Sequence, residues 1–246
     1  SIGGVGIYSI GQNVASIVFT YMTAIQNVFS PQVYRKMFDL GEKGGEAVGR
    51  YLTPFAYISI SVALMISLFG EEVMTILTPR SFHGAIDILI ILTMFYGSMF
   101  FGKQPQLIFA KKTYMTSLLT MVSILLNIGI NIPFIMRWGA IGAAWGTFLS
   151  GLISGSISFV VSQYYYKIEW EYKKIGAIFF ILFSSAISMI LLRNMSVDYT
   201  IRLIVKCVFI IAYVYLGAKI GVITTENLLL VKNIFRFKGE SLFPQQ

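Results

Sequence analysis

Residues 113–136 read TYMTSLLTMVSILLNIGINIPFIM, Arg137-Trp138-Gly139 follows, and residues 140–166 read AIGAAWGTFLSGLISGSISFVVSQYYY. The first arm holds 24 residues and no charge, and the second carries none from Trp138 until Lys167, next to Ile168. A helix rises 1.5 Å per residue, so about 20 apolar residues cross roughly 30 Å of hydrocarbon. Each arm is long enough to span, and a connection this short joins only antiparallel neighbours. The stretch predicts a transmembrane helical hairpin, and the rest of the chain repeats its logic.

Composition agrees. Of 246 residues, 56% are hydrophobic and 12% charged, with a mean hydropathy of +0.74. Soluble domains carry about 25% charge. Half that charge with this apolar fraction points to an all-α, polytopic membrane protein. The net charge of +8 is not spread as a basic stripe but falls in short clusters between apolar runs, which argues against a nucleic-acid partner. One cysteine, Cys207, excludes an internal disulfide, and one histidine, His83, cannot build a zinc site alone. No cofactor motif or catalytic constellation appears, so an enzyme is not expected.

Hydropathy and turn residues predict seven spans, at about 5–29, 51–69, 84–109, 114–136, 139–163, 175–193 and 200–218. Ser30-Pro31 is read as the stop of the first. A charged linker over 34–50, expected as a surface helix at the inner leaflet, precedes the second. Gly70-Glu71-Glu72 is read as an acidic loop and Thr78-Pro79-Arg80 as a further turn. Residues 1–220 form one transmembrane unit in this reading, and 221–246 a cytoplasmic tail with Lys232, Arg236 and Lys238. The connections alternate sides. One side with the tail holds fourteen basic residues and the other holds five, Arg80, Arg137, Arg193, Arg202 and Lys206, which together make the nineteen in the chain. The positive-inside rule then puts the C-terminus in the cytoplasm. The chain opens at Ser1 on a charge-free run of 34 residues, without methionine or signal peptide, and is expected to be a piece of a longer protein.

Several polar residues stand out within the spans. Asn127 and Asn131 are four apart and share a helix face, as sugar ligands in a wet lumen or as bonds between helices. Gln12, Asn13, Gln26 and Asn27 form a second set on the first span. Lys103 lies eight residues before Lys111 and so about 12 Å deeper along a helix. A lysine at that depth faces a cavity, finds a partner or snorkels. Gln104, Pro105 and Gln106 beside it suggest a kinked polar segment. Gly142-Gly146 and Gly151-Gly155 are small-residue pairs that let helices approach closely. Arg137 and Trp138 read as an interfacial anchor, and Lys206 as snorkelling near the outer end or lining the cavity.

The order of Gly4-Val5-Gly6-Ile7-Tyr8-Ser9-Ile10, Asn127-Ile128-Gly129-Ile130-Asn131 and Gly139-Ala140-Ile141-Gly142-Ala143-Ala144-Trp145-Gly146-Thr147 resembles the polysaccharide transporter family. These are bacterial lipid-linked oligosaccharide flippases of the O-antigen and capsular or exopolysaccharide (Wzx) type, in the multidrug/oligosaccharidyl-lipid/polysaccharide exporter superfamily. The resemblance covers about residues 3–220 and implies 12 to 14 spans in two lobes with alternating access. It implies that this chain is the C-terminal lobe, with its N-terminal lobe and membrane lipids as partners. The implied substrate is an undecaprenyl-pyrophosphate-type oligosaccharide, with Lys103 attracting the pyrophosphate and Gln104, Gln106, Asn127, Asn131, Gln12 and Asn13 meeting the sugars. The bacterial inner membrane is the implied location. A multidrug or cation extruder, or a membrane glycan polymerase or ligase, are the rival functions.

Overall fold

The computed structural model describes residues 2–101 and 105–223, and among these residues every regular element is helical. In chain order they are α1 (Ile2–Leu40), α2 (Gly44–Leu77), α3 (Ala85–Ser98), α4 (Pro105–Phe109), α5 (Thr113–Tyr165), α6 (Tyr172–Asn194) and α7 (Tyr199–Lys219). Short 3-10 turns at Gly41–Lys43, Arg80–Phe82 and Met99–Phe101 join or extend them. Four of these helices, α2, α5, α6 and α7, are long and apolar enough to cross a membrane. The chain is an all-α polytopic membrane protein.

α5 is the predicted hairpin. Its helical ladder breaks at Gly139, whose φ of 60° and ψ of −134° suit glycine alone. Gly142 then lies against the Phe134 carbonyl, Gly146 against Asn131, Ser150 beside Asn127 and Ser154 beside Ser123. As one number rises the other falls, which is antiparallel register.

α3 sits at the centre, buried on all sides from Ala85 to Met94 and packed against α1, α2, α5 and α6. Apart from Asp87 and Thr93 that stretch is apolar on every face, as a helix buried on every face is. α1 and α2 bury Ala15, Val18, Met22, Leu52, Ala56, Ile60 and Leu64 around it. α5 instead leaves much of its first arm outward, with Leu118, Met121, Leu125, Ile128 and Ile132 exposed as lipid-facing residues are.

Four expectations change. Pro31 does not end the first helix, since α1 runs through it to Leu40. Loss of one backbone donor is outweighed because Phe29, Val33 and Met37, on both sides of the proline, are buried in the core. The charged stretch 34–50 is accordingly the end of α1, a turn at Gly41 (φ 54°) and the start of α2. Its charges pair along the outer face, Arg35 with Asp39 at 3.4 Å and Arg50 with Glu46 at 2.6 Å. Third, Glu71 and Glu72 belong to α2, which continues to Leu77 because both carboxylates find basic partners on α7. Fourth, the span read as 84–109 is broken: α3 stops at Ser98, tightens over Met99–Phe101, and α4 opens on Pro105, a residue suited to a first helical position. α1 is long enough to cross, but Gln12, Asn13, Gln26 and Asn27 dilute its hydropathy. The tail basic residues Lys232, Arg236 and Lys238 lie outside the described residues.

Candidate functional site

Two ends of the bundle differ in chemistry. At one, the segment after α5 crosses the turn between α1 and α2: the Tyr166 hydroxyl donates to the Gly41 carbonyl (2.8 Å) and the Glu169 amide to the Gly45 carbonyl (3.2 Å). Side chains at Gly45 or Gly49 would collide with the carbonyls of Lys167 and Glu169. The lysines at 36, 43, 111, 112, 167 and 173 also belong to this end. Burial pushes the Glu171 carboxyl up here, but its bonds to Lys174 and Thr53 and the charges of Lys174 and Arg50 together outweigh that and hold it below the usual range.

At the other end acids and bases meet. Arg193 grips Asp87 at 2.7 and 2.9 Å and reaches the His83 carbonyl at 3.4 Å. Arg202 places one nitrogen 2.7 Å from both oxygens of Glu71. Lys206, 1% exposed, pairs with Glu72, which also accepts from the Tyr199 hydroxyl at 2.9 Å. Lys206 is therefore neither snorkelling nor facing a cavity. Arg137 lies over the Trp138 ring, 5.2 Å from its centre.

Between these ends lies a cavity of about 510 Å³, bounded by α1, α3, α4 and both arms of α5. One wall is Thr116, Thr120, Ser123 and Asn127 of the first arm. Facing it are Thr147, Ser150, Ser154 and Ser158 of the second. α1 adds Gln26, Ser30 and Tyr34, with Phe29, Phe95 and Trp170 as aromatic surfaces. None of the described lining residues is charged. The Asn127 amide donates to the Ser150 hydroxyl (3.1 Å) and Ser123 to Ser154 (3.3 Å). Gln26 donates to the Met99 carbonyl at 3.2 Å and is thereby held at the cavity wall. A second, more apolar cavity of about 410 Å³ lies alongside, between the second arm and α6, and shares Ser98, Gly151, Gly155 and Trp170 with the first.

The sequence-predicted residues distribute unevenly. Asn127 lines the cavity while also bonding across the hairpin. Asn131 is buried against Gly146, its Oδ1 without a hydrogen bond, and is not part of the lining. Gln106 is fully buried in α4, donating to Gln163 Oε1 at 3.4 Å. Gln163 in turn accepts from the Ile168 amide at 2.8 Å, so this pair ties α4 to the end of α5. Gln12 and Asn13 are exposed on α1 away from the cavity, Gln12 hydrogen-bonded to Tyr96. Lys103, on which the expected attraction of the pyrophosphate rests, and Gln104 lie outside the described residues. Gly142, Gly146 and Gly151 meet the Phe134 carbonyl, Asn131 and the Phe95 ring. Gly155 meets nothing within 4 Å, so the second small-residue pair contributes one packing glycine because the cavities open beside the other.

The hydroxyl wall was missed, although a signal for it exists. Residues 116, 120, 123 and 127, and 147, 150, 154 and 158, recur at helical spacing on one face of each arm. Serine and threonine can bond their own helix carbonyls, so in a membrane helix they draw less notice than amides or charges.

No protein-family model matches the chain, and no solved structure matches it. Among curated proteins it is similar to the "Probable low-salt glycan biosynthesis flippase Agl15" of Haloferax volcanii, 25% identical over 177 residues. Those residues are 70% of this chain and 37% of that relative, so the chain spans little more than a third of the relative's length.

Proposed function

We propose that this chain forms part of a transporter that flips a lipid-linked oligosaccharide across a membrane. The observation that carries the reading is the uncharged wall of hydroxyls and amides on the two arms of α5, inside a membrane bundle. A glycan is neutral and rich in hydroxyls. Groups that both donate and accept, backed by aromatic rings, match it without the desolvation cost of burying ions. The function named for the Haloferax relative supports the same class.

The finer reading follows the family resemblance. The seven helices act as a C-terminal lobe that rocks against an N-terminal lobe, exposing the cavity first to one side and then to the other. The carrier is an undecaprenyl-pyrophosphate-type lipid whose tail stays in the bilayer, and Lys103 attracts the pyrophosphate. The basic ends face the cytosol of a bacterial inner membrane. Asp87, the acid that a cation-coupled drug extruder would use, is engaged by Arg193, which weakens that rival.

The test is complementation of a strain lacking its own copy, with surface glycan and membrane abundance measured together. Lys103→Ala, and Asn127→Leu combined with Thr120→Leu, are expected to lower glycan display at unchanged abundance. Normal display in both variants refutes the reading.

A further inference from the structure

α1 carries a feature that the cavity does not use. Ser9, Asn13, Ser16, Thr20, Thr23 and Asn27 follow one another in steps of four, three, four, three and four. In a helix that spacing is one narrow stripe, and the eighteen steps from Ser9 to Asn27 extend it over about 27 Å, close to the thickness of the hydrocarbon. The stripe points outward, each of its residues being exposed or half-buried. Ala15, Val18, Met22 and Phe29 hold the opposite, buried face. Gln26 and Ser30, which line the 510 Å³ cavity, lie to one side of the stripe, and none of the six stripe residues lines it.

The rest of the outward surface of α1 is apolar: Ile17 is 52% exposed and Val28 68%. Lipid suits those two residues. It does not suit the stripe. Ser16 and Thr20 return their hydroxyls to the carbonyls of Asn13 (2.7 Å) and Ser16 (3.1 Å), as lipid-facing residues can. Asn13 and Asn27 have no such outlet. Each amide has two donors and an acceptor, and neither has a side-chain hydrogen bond among the described residues. Hydrocarbon supplies no partner, so two amides and a continuous run of hydroxyls at membrane depth call for water.

We propose that this stripe is a wall of an aqueous passage through the membrane, along which the hydroxyl-rich glycan of the head group slides by exchanging hydrogen bonds with water. Its lack of charge suits movement, since no ion pair holds the cargo at one depth. The identity of the cargo rests on the glycan reading above, whereas the wetness of the stripe does not.

Cysteine accessibility tests it in the full protein in its own membrane. Cys207 is first replaced by serine, and single cysteines are placed at Asn13, Thr20 and Asn27 and, as controls, at Ile17 and Val28. A charged, membrane-impermeant methanethiosulfonate is then applied, which reacts with the hydrated thiolate. The stripe cysteines are expected to react several-fold faster than both controls, at all three depths. Equal rates at stripe and control positions overturn the proposal, as does reaction at Asn13 or Asn27 without Thr20, which marks two wet ends and a dry middle. Labelling of the denatured protein establishes that every thiol is present. Loss of the glycan reading alone leaves these rates unchanged, so the two failures are distinguishable.

Discussion

At Gly146 a single methyl group decides whether the hairpin closes. A Cβ there would sit 2.5 Å from Asn131 Oδ1 and 3.0 Å from its Cα, closer than packed atoms approach. Gly155, two turns further on, faces open space. Gly146→Ala is therefore expected to destabilise the protein by about 1–3 kcal/mol, as overpacking does, and Gly155→Ala to leave it nearly unchanged. Thermal unfolding in detergent compares the two, and equal midpoints would contradict the register described for α5. Both glycines stand in similar small-residue pairs in the sequence. Only the position of the facing arm distinguishes them, because a close approach is a property of two helices and a motif describes one.

α7 is fastened by polar groups. Its buried residues are Lys206, Tyr213 and Gly217, with Val205, Phe209, Ile210 and Leu216 half-buried against the core. Tyr213 and Tyr57 of α2 stack with ring centres 4.4 Å apart, each hydroxyl donating to the other's backbone carbonyl, at 2.6 and 3.0 Å. Gly217 gives room for the Tyr57 ring. In lipid the hydrophobic effect does not drive helices together, so pairs like these choose where α7 docks. Lys206→Met leaves the Glu72 carboxylate without its cation and is expected to cost about 1–3 kcal/mol, with much of the loss recovered by adding Glu72→Gln. Unfolding of the single and double variants measures this, and a double variant no better than the single would show that the pair does not fasten the helix. The existence of α7 was legible from its apolar run. Its partner was not: Glu72 precedes Lys206 by more than a hundred residues, and reading Glu71-Glu72 as a loop removed the acids from the helix that presents them.

Among the described residues, the acid–base pairs that join different helices gather at the end where α2 and α3 meet α6 and α7, while the lysine-rich connections gather at the other. The proposed orientation, with the second end toward the cytosol, follows the positive-inside rule. Reporter tags inserted after Asn194 are expected on the outer side and tags after Lys173 on the inner, and the reverse pattern would overturn the proposed orientation. Sequence alone determined the membrane class, the α5 hairpin with its turn at Gly139, and the uneven distribution of charge. Each of these depends on local runs of apolar residues or on one glycine's backbone freedom, and lipid thickness sets a length that can be counted. Tertiary structure decided that α1 passes through Pro31, that α3 ends early, that Asn131 is buried while Asn127 reaches a cavity, and that eight hydroxyl and amide side chains from two arms face one another. Those outcomes rest on contacts between residues far apart in the chain, where packing against a neighbouring helix outweighs a local preference worth about as much as one hydrogen bond.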